Sequence, residues 1–246
     1  DIVAVNDLTD AKTLAYLLKY DSVYGRYAKK VSATDSSIEV DGKKISVIAQ
    51  KDPVQLPWKD LGVDIVIESS GLFASAEKAK PHLDAGAKRV VITAPASGEL
   101  TTALVGVNDD RFSVALPITA NGSCTTNSAA PVVQIMLENF GIKKASLTTI
   151  HGYTATQRLV DGPDPKDMRR GRAAAVNIVP STTGASTAVV QAVPALEGKY
   201  DGISMRVPTI TGSISDNTFI VDRPTTVEAV NEVFKKAAQD PRWASI

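Results

Sequence analysis

The opening of the chain constrains its fold more than any other stretch. Ile2 to Asn6 is an apolar run of strand type, and beyond Thr9 the residues Ala11, Leu14, Ala15 and Leu18 fall at i, i+3, i+4 and i+7. An abrupt change from strand period to helix period, with one apolar stripe on the helix, describes a strand followed by a helix that packs on a sheet. Thr9 is placed to cap that helix. The pattern then recurs. Val63-Asp64-Ile65-Val66-Ile67-Glu68 leads through Ser69-Ser70-Gly71 into a helical segment from Ser75 to Ala85, which predicts a parallel strand entering a second strand–helix unit. Arg89 to Thr93 reads as the next strand. Between the two units, Ser37 to Val40 and Lys44 to Ile48 form a hairpin through Asp41-Gly42, a dipeptide suited to the positive φ angles of a tight turn.

Beyond Cys124 the pattern changes. Ala129, Val132, Val133, Met136 and Leu137 make a helical stripe, and long strands then dominate: Ala145 to His151, Gly202 to Val207 and Ser213 to Val221. Thr154 to Ala175 is polar, rich in Asp, Pro and Arg, and without a steady period; a loop of that length in a compact domain is usually functional or disordered. Thr225 to Gln239 reads as a final capped helix. The chain therefore divides near Ser123, residues 1–123 forming an α/β half of cofactor-binding type and residues 124–246 an α+β half with a mostly antiparallel sheet.

With 246 residues, two domains can each bury a core without metals or disulfides. Lys+Arg and Asp+Glu both number 27, so no electrostatic bias draws the chain toward nucleic acid or an anionic membrane. No apolar run approaches the roughly 20 residues of a membrane span, and no secretory leader opens the chain, which points to a cytoplasmic protein. One Cys and two His leave neither a disulfide framework nor a zinc constellation, so no metal is expected.

The single thiol needs its own explanation. Cys124 lies in Asn121-Gly122-Ser123-Cys124-Thr125-Thr126-Asn127, where a helix should begin, and the free N–H groups of a helix N-terminus stabilise a thiolate. A lone cysteine is more often a small buried hydrophobe, but Ser, Thr and Asn are poor company for one. His151 follows the apolar strand Leu147 to Ile150 and emerges at its end, where an imidazole can accept a proton from a thiol. His82, on a predicted helix, suits an ordinary structural role. Ser181-Thr182-Thr183-Gly184-Ala185 precedes the helical pattern Ala188, Val189, Ala192 and Val193, a turn that either caps the helix or offers donors to a phosphate. Arg206 at a strand end can clamp an anion, and Arg169, Arg170 and Arg172 can do so or merely solvate a loop. Asp7, just past the first strand, is either a strand-end cap or a carboxylate for ribose hydroxyls.

Together these segments resemble the phosphorylating glyceraldehyde-3-phosphate dehydrogenases. Ser123-Cys124-Thr125-Thr126-Asn127 is that family's active-site signature. It is joined in order by Asn6-Asp7-Leu8, Leu17 to Ser22, His151 to Gln157, Ser181 to Ala185 and Met205-Arg206-Val207-Pro208-Thr209. The resemblance implies a Rossmann-type NAD-binding domain followed by a catalytic domain. It implies that Cys124 attacks the aldehyde of glyceraldehyde 3-phosphate with His151 as base, that NAD takes the hydride, and that inorganic phosphate releases 1,3-bisphosphoglycerate. By the same matching, Thr154 and Arg206 hold the substrate phosphate. Ser123, Thr125, Thr183 and Gly184 hold the attacking phosphate, and Arg170 assists either site. Asp7, Lys51, Ser70, Phe73 and Thr93 line the NAD groove, with Asp7 favouring NAD over NADP. A homotetramer is also implied.

The sequence departs from the pattern in Lys51, where many relatives carry Arg, and in Ser128, where many carry a second Cys. The family's first strand and glycine-rich turn belong before Asp1, and its nicotinamide-orienting Asn and closing helix belong after Ile246. The chain is therefore expected to be a fragment that by itself does not bind NAD normally. Two rivals accompany this reading: an erythrose-4-phosphate dehydrogenase, which shares the cysteine chemistry, and a non-catalytic interaction module that keeps the fold.

Overall fold

The computed structural model describes residues 1–112 and 116–244. Two compact units are present, one formed by Asp1–Val66 with Glu77–Val90, the other by Ile67–Ala76 with the chain from Val91 onward.

In the first unit, β1 (Ala4–Asn6) leads to α1 (Ala11–Lys19), a short β2–β3 ribbon (Tyr20–Asp21 and Gly25–Arg26), β4 (Val31–Ala33), β5 (Ser37–Val40) and β6 (Lys43–Ile48). The sheet order is β1-β6-β5-β4, with β1 parallel to β6 and the others antiparallel. Asp41 and Gly42, at φ 49° and 80°, make the tight turn between β5 and β6 that the dipeptide predicts. The expected helix is present, but Asp10 caps it instead of Thr9. The Asp10 carboxylate accepts from Thr13 N (2.9 Å) and Thr13 Oγ1 (2.7 Å), whereas Thr9 N is itself held by Asp7 Oδ1 (2.8 Å). The Thr13 bonds hold the Asp10 carboxyl below its ordinary value. Ala11 and Ala15 are buried against Ile38, while Leu18, the last member of the stripe, is exposed. His82 takes the structural role expected of it: buried, it stands 3.1 Å from the indole Nε1 of Trp58, which donates to its Nδ1.

The chain continues through β7 (Ile65–Glu68), α2 (Ala76–Asp84), β8 (Arg89–Ile92), β9 (Thr101–Thr102) and β10 (Ile118–Ala120), forming a sheet of order β7-β8-β10-β9. Next come α3 (Cys124–Phe140), β11 (Lys144–Gly152), β12 (Val179–Thr182), α4 (Ala185–Ala192), β13 (Tyr200–Val207), β14 (Ser213–Ile220) and α5 (Val227–Ala237). Their sheet has the order β12-β13-β11-β14. Both outer pairings are antiparallel, as the long strands suggest, but the central β11–β13 pair runs parallel. The predicted stripes face one core, where Val133 and Ala129 of α3 and Val189 and Ala192 of α4 meet Leu147, Ile142 and Leu196. Each of the larger side chains contributes about 1.5–3 kcal/mol by leaving water. Residues 154–175 are organised by their own polar groups: Asp164 Oδ1 accepts from the Lys166 and Asp167 amides, Asp167 pairs with Arg169, and Met168–Gly171 forms a 3-10 turn.

Candidate active site

The site is built on the start of α3. Gly122, at φ 69°, turns the chain so that Ser123 becomes the N-cap, and a Cβ on Gly122 would stand 2.9 Å from Thr126 Cγ2. Ser123 Oγ accepts from Thr126 N (3.0 Å) while Thr126 Oγ1 accepts from Ser123 N (3.1 Å), a reciprocal capping box. Cys124 is thereby the first helical residue, and it is exposed. Its sulfur sits where unpaired N–H groups and the helix dipole favour negative charge.

Cys124 Sγ lies 3.2 Å from Nε2 of His151, a hydrogen-bonding distance across 27 residues of sequence. His151 is the penultimate residue of β11, and its register partner on the parallel strand β13 is Arg206. Arg206 Nη1 is 2.9 Å from His151 Nδ1 and donates to the Gly152 carbonyl at 3.2 Å; His151 Nδ1 is itself 2.7 Å from that carbonyl oxygen. Half-burial pulls the Arg206 guanidinium below its ordinary value. Cys124 opposes that shift, and the positive charge of Arg170 adds to it. Sequence reading placed these three residues at element ends; the fold brings them into direct contact. A thiol, an imidazole and a guanidinium in one cluster are groups capable of nucleophilic attack, proton transfer and anion binding.

The expected phosphate turn lies between β12 and α4. Thr183 Oγ1 accepts from Ala185 N (3.1 Å), and Gly184 is the N-cap with no side chain to contribute. Arg170 joins this turn, donating from Nε to Ser181 Oγ (3.1 Å) and from Nη2 to Thr182 Oγ1 (3.3 Å). Ser181 is in register with Ser204 of β13, and Val179 with Arg206. Thr125 is buried in the first turn of α3, and exposed Thr154 bonds through Oγ1 to Thr156 Oγ1 (2.9 Å). Thr154 and Arg170 thus bond to partners other than the Cys124–His151 pair.

The residues expected in a nucleotide groove stand just beyond strand ends. In the second unit, Ser70 follows β7 and Thr93 follows β8, and both are held by Glu68. Its Oε1 accepts from Ser70 N (2.8 Å) and Ser70 Oγ (2.5 Å), and its carbonyl accepts from Thr93 N (3.0 Å) and Thr93 Oγ1 (3.3 Å). Phe73 is half-buried nearby in sequence, its carbonyl accepting from Ser75 N. Glu68 was not singled out from the sequence; the signal available was a carboxylate closing an otherwise apolar strand. In the first unit, Asp7 follows β1 and Lys51 is exposed beyond β6. In each unit by itself, polar side chains follow the carboxyl ends of strands, the edge at which open α/β sheets bind dinucleotides.

Among the described residues no group of His, Cys, Asp and Glu could hold a metal ion, and no helix is long and apolar enough to cross a membrane. The family description "Glyceraldehyde 3-phosphate dehydrogenase, NAD binding domain" matches residues 1–76, and its C-terminal-domain counterpart matches residues 123–246. The glyceraldehyde-3-phosphate dehydrogenase of Thermotoga maritima is 56% identical over 239 residues, covering 97% of this chain and 72% of that protein. The enzymes of Streptomyces coelicolor and Borreliella burgdorferi are 51% and 50% identical, covering 98% and 100% of the chain and 71% and 75% of their own lengths. With a cysteine–histidine pair at a helix N-terminus and these matches along nearly its whole length, the chain belongs to the glyceraldehyde-3-phosphate dehydrogenase family and is an NAD-dependent oxidoreductase.

Proposed function

We propose that Cys124 and His151 carry the family's reaction in this chain, the oxidation of glyceraldehyde 3-phosphate in glycolysis. The 3.2 Å contact between Cys124 Sγ and His151 Nε2 is the observation that carries this assignment. The Cys124 thiol proton passes to His151 Nε2 as the sulfur adds to the aldehyde carbon, and from Nε2 to the alkoxide oxygen that forms, giving the hemithioacetal. His151 Nε2 then removes the hemithioacetal hydroxyl proton as the carbonyl re-forms and hydride departs. NAD, when bound, supplies the acceptor for that hydride. Inorganic phosphate attacks the resulting thioester, a phosphate oxygen bonding to carbon as the C–S bond breaks, so that 1,3-bisphosphoglycerate leaves and the thiol returns.

Arg206 and Thr154 hold the substrate phosphate in this proposal, because Arg206 places a half-buried cation beside the reacting pair. Ser123, Thr125, Thr183 and Gly184 receive the attacking phosphate, with Arg170 in reach of that turn through Ser181 and Thr182. Gly184 supports the assignment in a specific way. Its φ of −84° is ordinary and a Cβ there meets nothing within 4 Å, so the fold itself does not require glycine, whereas close approach of a ligand to its backbone does. Asp7 binds the adenosine ribose, and Lys51, Ser70, Phe73 and Thr93 line the cofactor groove. The division at Ser123 into an NAD-binding and a catalytic domain, a homotetrameric assembly and a cytoplasmic location complete the reading.

The test is turnover of glyceraldehyde 3-phosphate and erythrose 4-phosphate with and without inorganic phosphate. Phosphate-dependent NADH formation that prefers the three-carbon aldehyde is expected. Rapid phosphate-independent NADH formation would sink the phosphorylating mechanism.

A further inference from the structure

The capping box that starts α3 contains one contact that capping does not need. Ser123 Oγ accepts from Thr126 N (3.0 Å) and Thr126 Oγ1 accepts from Ser123 N (3.1 Å), which satisfies both amides, yet the two hydroxyl oxygens also stand 2.8 Å apart. One hydroxyl therefore donates to the other. Each has a single proton and two lone pairs, so the direction of that bond fixes what the pair has left to offer.

Burial sets the direction. Thr126 is 0% exposed, and its Oγ1 meets no polar group other than those of Ser123 among the described residues. With Ser123 as donor, both lone pairs of Thr126 Oγ1 would be filled and its own proton would be buried without an acceptor. That penalty suppresses the arrangement by about tenfold or more. With Thr126 as donor, no buried proton is stranded. Ser123 Oγ then accepts from both Thr126 N and Thr126 Oγ1, its lone pairs are filled, and one proton is all it has left. Ser123 is only half-buried and precedes the exposed Cys124, so that proton is open to a ligand. A hydroxyl that can only donate suits phosphate, whose charged oxygens accept.

We propose that Thr126 is a positioning residue for the attacking phosphate: by donating to Ser123 Oγ, it turns the Ser123 hydroxyl into a fixed donor at the start of α3. Thr126 is wholly buried and acts only through Ser123. The helix start that presents the Cys124 sulfur thus also prepares the hydroxyl that receives the phosphate. The inference rests on the reading of Ser123 as a ligand of the attacking phosphate.

Steady-state kinetics of the full-length protein test it. Thr126→Val keeps the side chain's shape and loses its hydroxyl. It is expected to raise KM for inorganic phosphate about 5-fold, part of the weight of one hydrogen bond to a charged partner. KM for glyceraldehyde 3-phosphate and the rate of Cys124 alkylation by iodoacetamide should stay near wild type, because Ser123 Oγ still caps Thr126 N. Thr126→Ser should restore KM for phosphate. In a Ser123→Ala background Thr126→Val should add nothing to that KM, since both act through one hydroxyl. Additive effects overturn the proposal, and so does an unchanged KM for phosphate in Thr126→Val. A parallel shift in KM for the aldehyde and in alkylation would reduce Thr126 to a helix cap and overturn it too. The two claims fail separately. An unchanged KM for phosphate in Ser123→Ala removes Ser123 as a phosphate ligand, whereas a rise there with none in Thr126→Val removes only the positioning role. Neutron diffraction from deuterated wild-type crystals decides the matter even if Thr126→Val fails to fold. Deuterium on Thr126 Oγ1 directed at Ser123 Oγ is expected; deuterium on Ser123 Oγ directed at Thr126 Oγ1 overturns the proposal.

Discussion

His151 and Arg206 stand opposite each other in register on β11 and β13, the two central strands of their sheet, which run parallel. In parallel strands, side chains in register point to the same face, and both residues lie one position before a strand's end. A cation and an imidazole are therefore delivered side by side by sheet pairing. The helix N-terminus at Ser123 then needs only to bring a sulfur to the free ring nitrogen.

That arrangement makes His151 the partner that sets the reactivity of Cys124. His151→Asn is expected to lower kcat by about 10²–10⁴-fold, the usual share of a general base. It should also slow alkylation of Cys124 by iodoacetamide at neutral pH. Unchanged alkylation would remove His151 from that role.

Ser123 holds the helix start through both bonds of its capping box. Ser123→Ala is expected to cost about 1 kcal/mol of stability, read as a lower urea midpoint with an unchanged slope. The frayed first turn should also slow Cys124 alkylation. A variant with wild-type stability would show that the box contributes nothing net.

One row behind the catalytic pair, Ser181, Ser204, Thr149 and Ser215 stand in register across β12, β13, β11 and β14. Ser181 and Ser215 have partners, but Thr149 Oγ1 and Ser204 Oγ, on residues only 1% and 2% exposed, have none among the described residues. A buried hydroxyl without a bond costs about 1–3 kcal/mol, and valine matches threonine in shape. Thr149→Val is therefore expected to raise stability by about 1 kcal/mol with kcat unchanged. A loss of stability instead would mean that the hydroxyls hold an ordered water, visible by crystallography.

Burial holds the Tyr200 phenol above its ordinary value of 10.0, and its hydroxyl donates to Asn217 Oδ1 at 2.8 Å. Because the folded value is raised, this stabilisation is complete below the unfolded value and is lost as pH rises beyond it. Unfolding free energy should therefore fall between about pH 10 and 12. Tyr200→Phe should flatten that fall while costing about 1 kcal/mol at neutral pH through the lost bond. An equally steep alkaline decline in the variant would assign the effect to another group.

Much of the local structure is legible in the sequence. Asp41-Gly42 marked its hairpin because few dipeptides tolerate two positive φ angles, and the stripes on α3 and α4 marked their buried faces because apolar surface recurs at helical spacing. The helix start at Cys124 was readable for the same local reason, since Ser123 and Thr126 satisfy each other's amides within four residues. Thr9 and Asp10 are both good caps by residue type, so the local pattern alone does not separate them. The Asp10 carboxylate accepts from both Thr13 N and Thr13 Oγ1, two bonds at one cap.

By itself, then, the sequence determined which residues begin helices, which faces are apolar, and that a cysteine signature, a strand-end histidine and a strand-end arginine occur in one family's order. Only the tertiary structure decided that Cys124 meets His151 through Nε2 and that Arg206 meets the same ring through Nδ1. The physical reason is range. Caps, turns and periodicity are decided by neighbours within a few residues, whereas these contacts join positions that only parallel register and helix–sheet packing bring together.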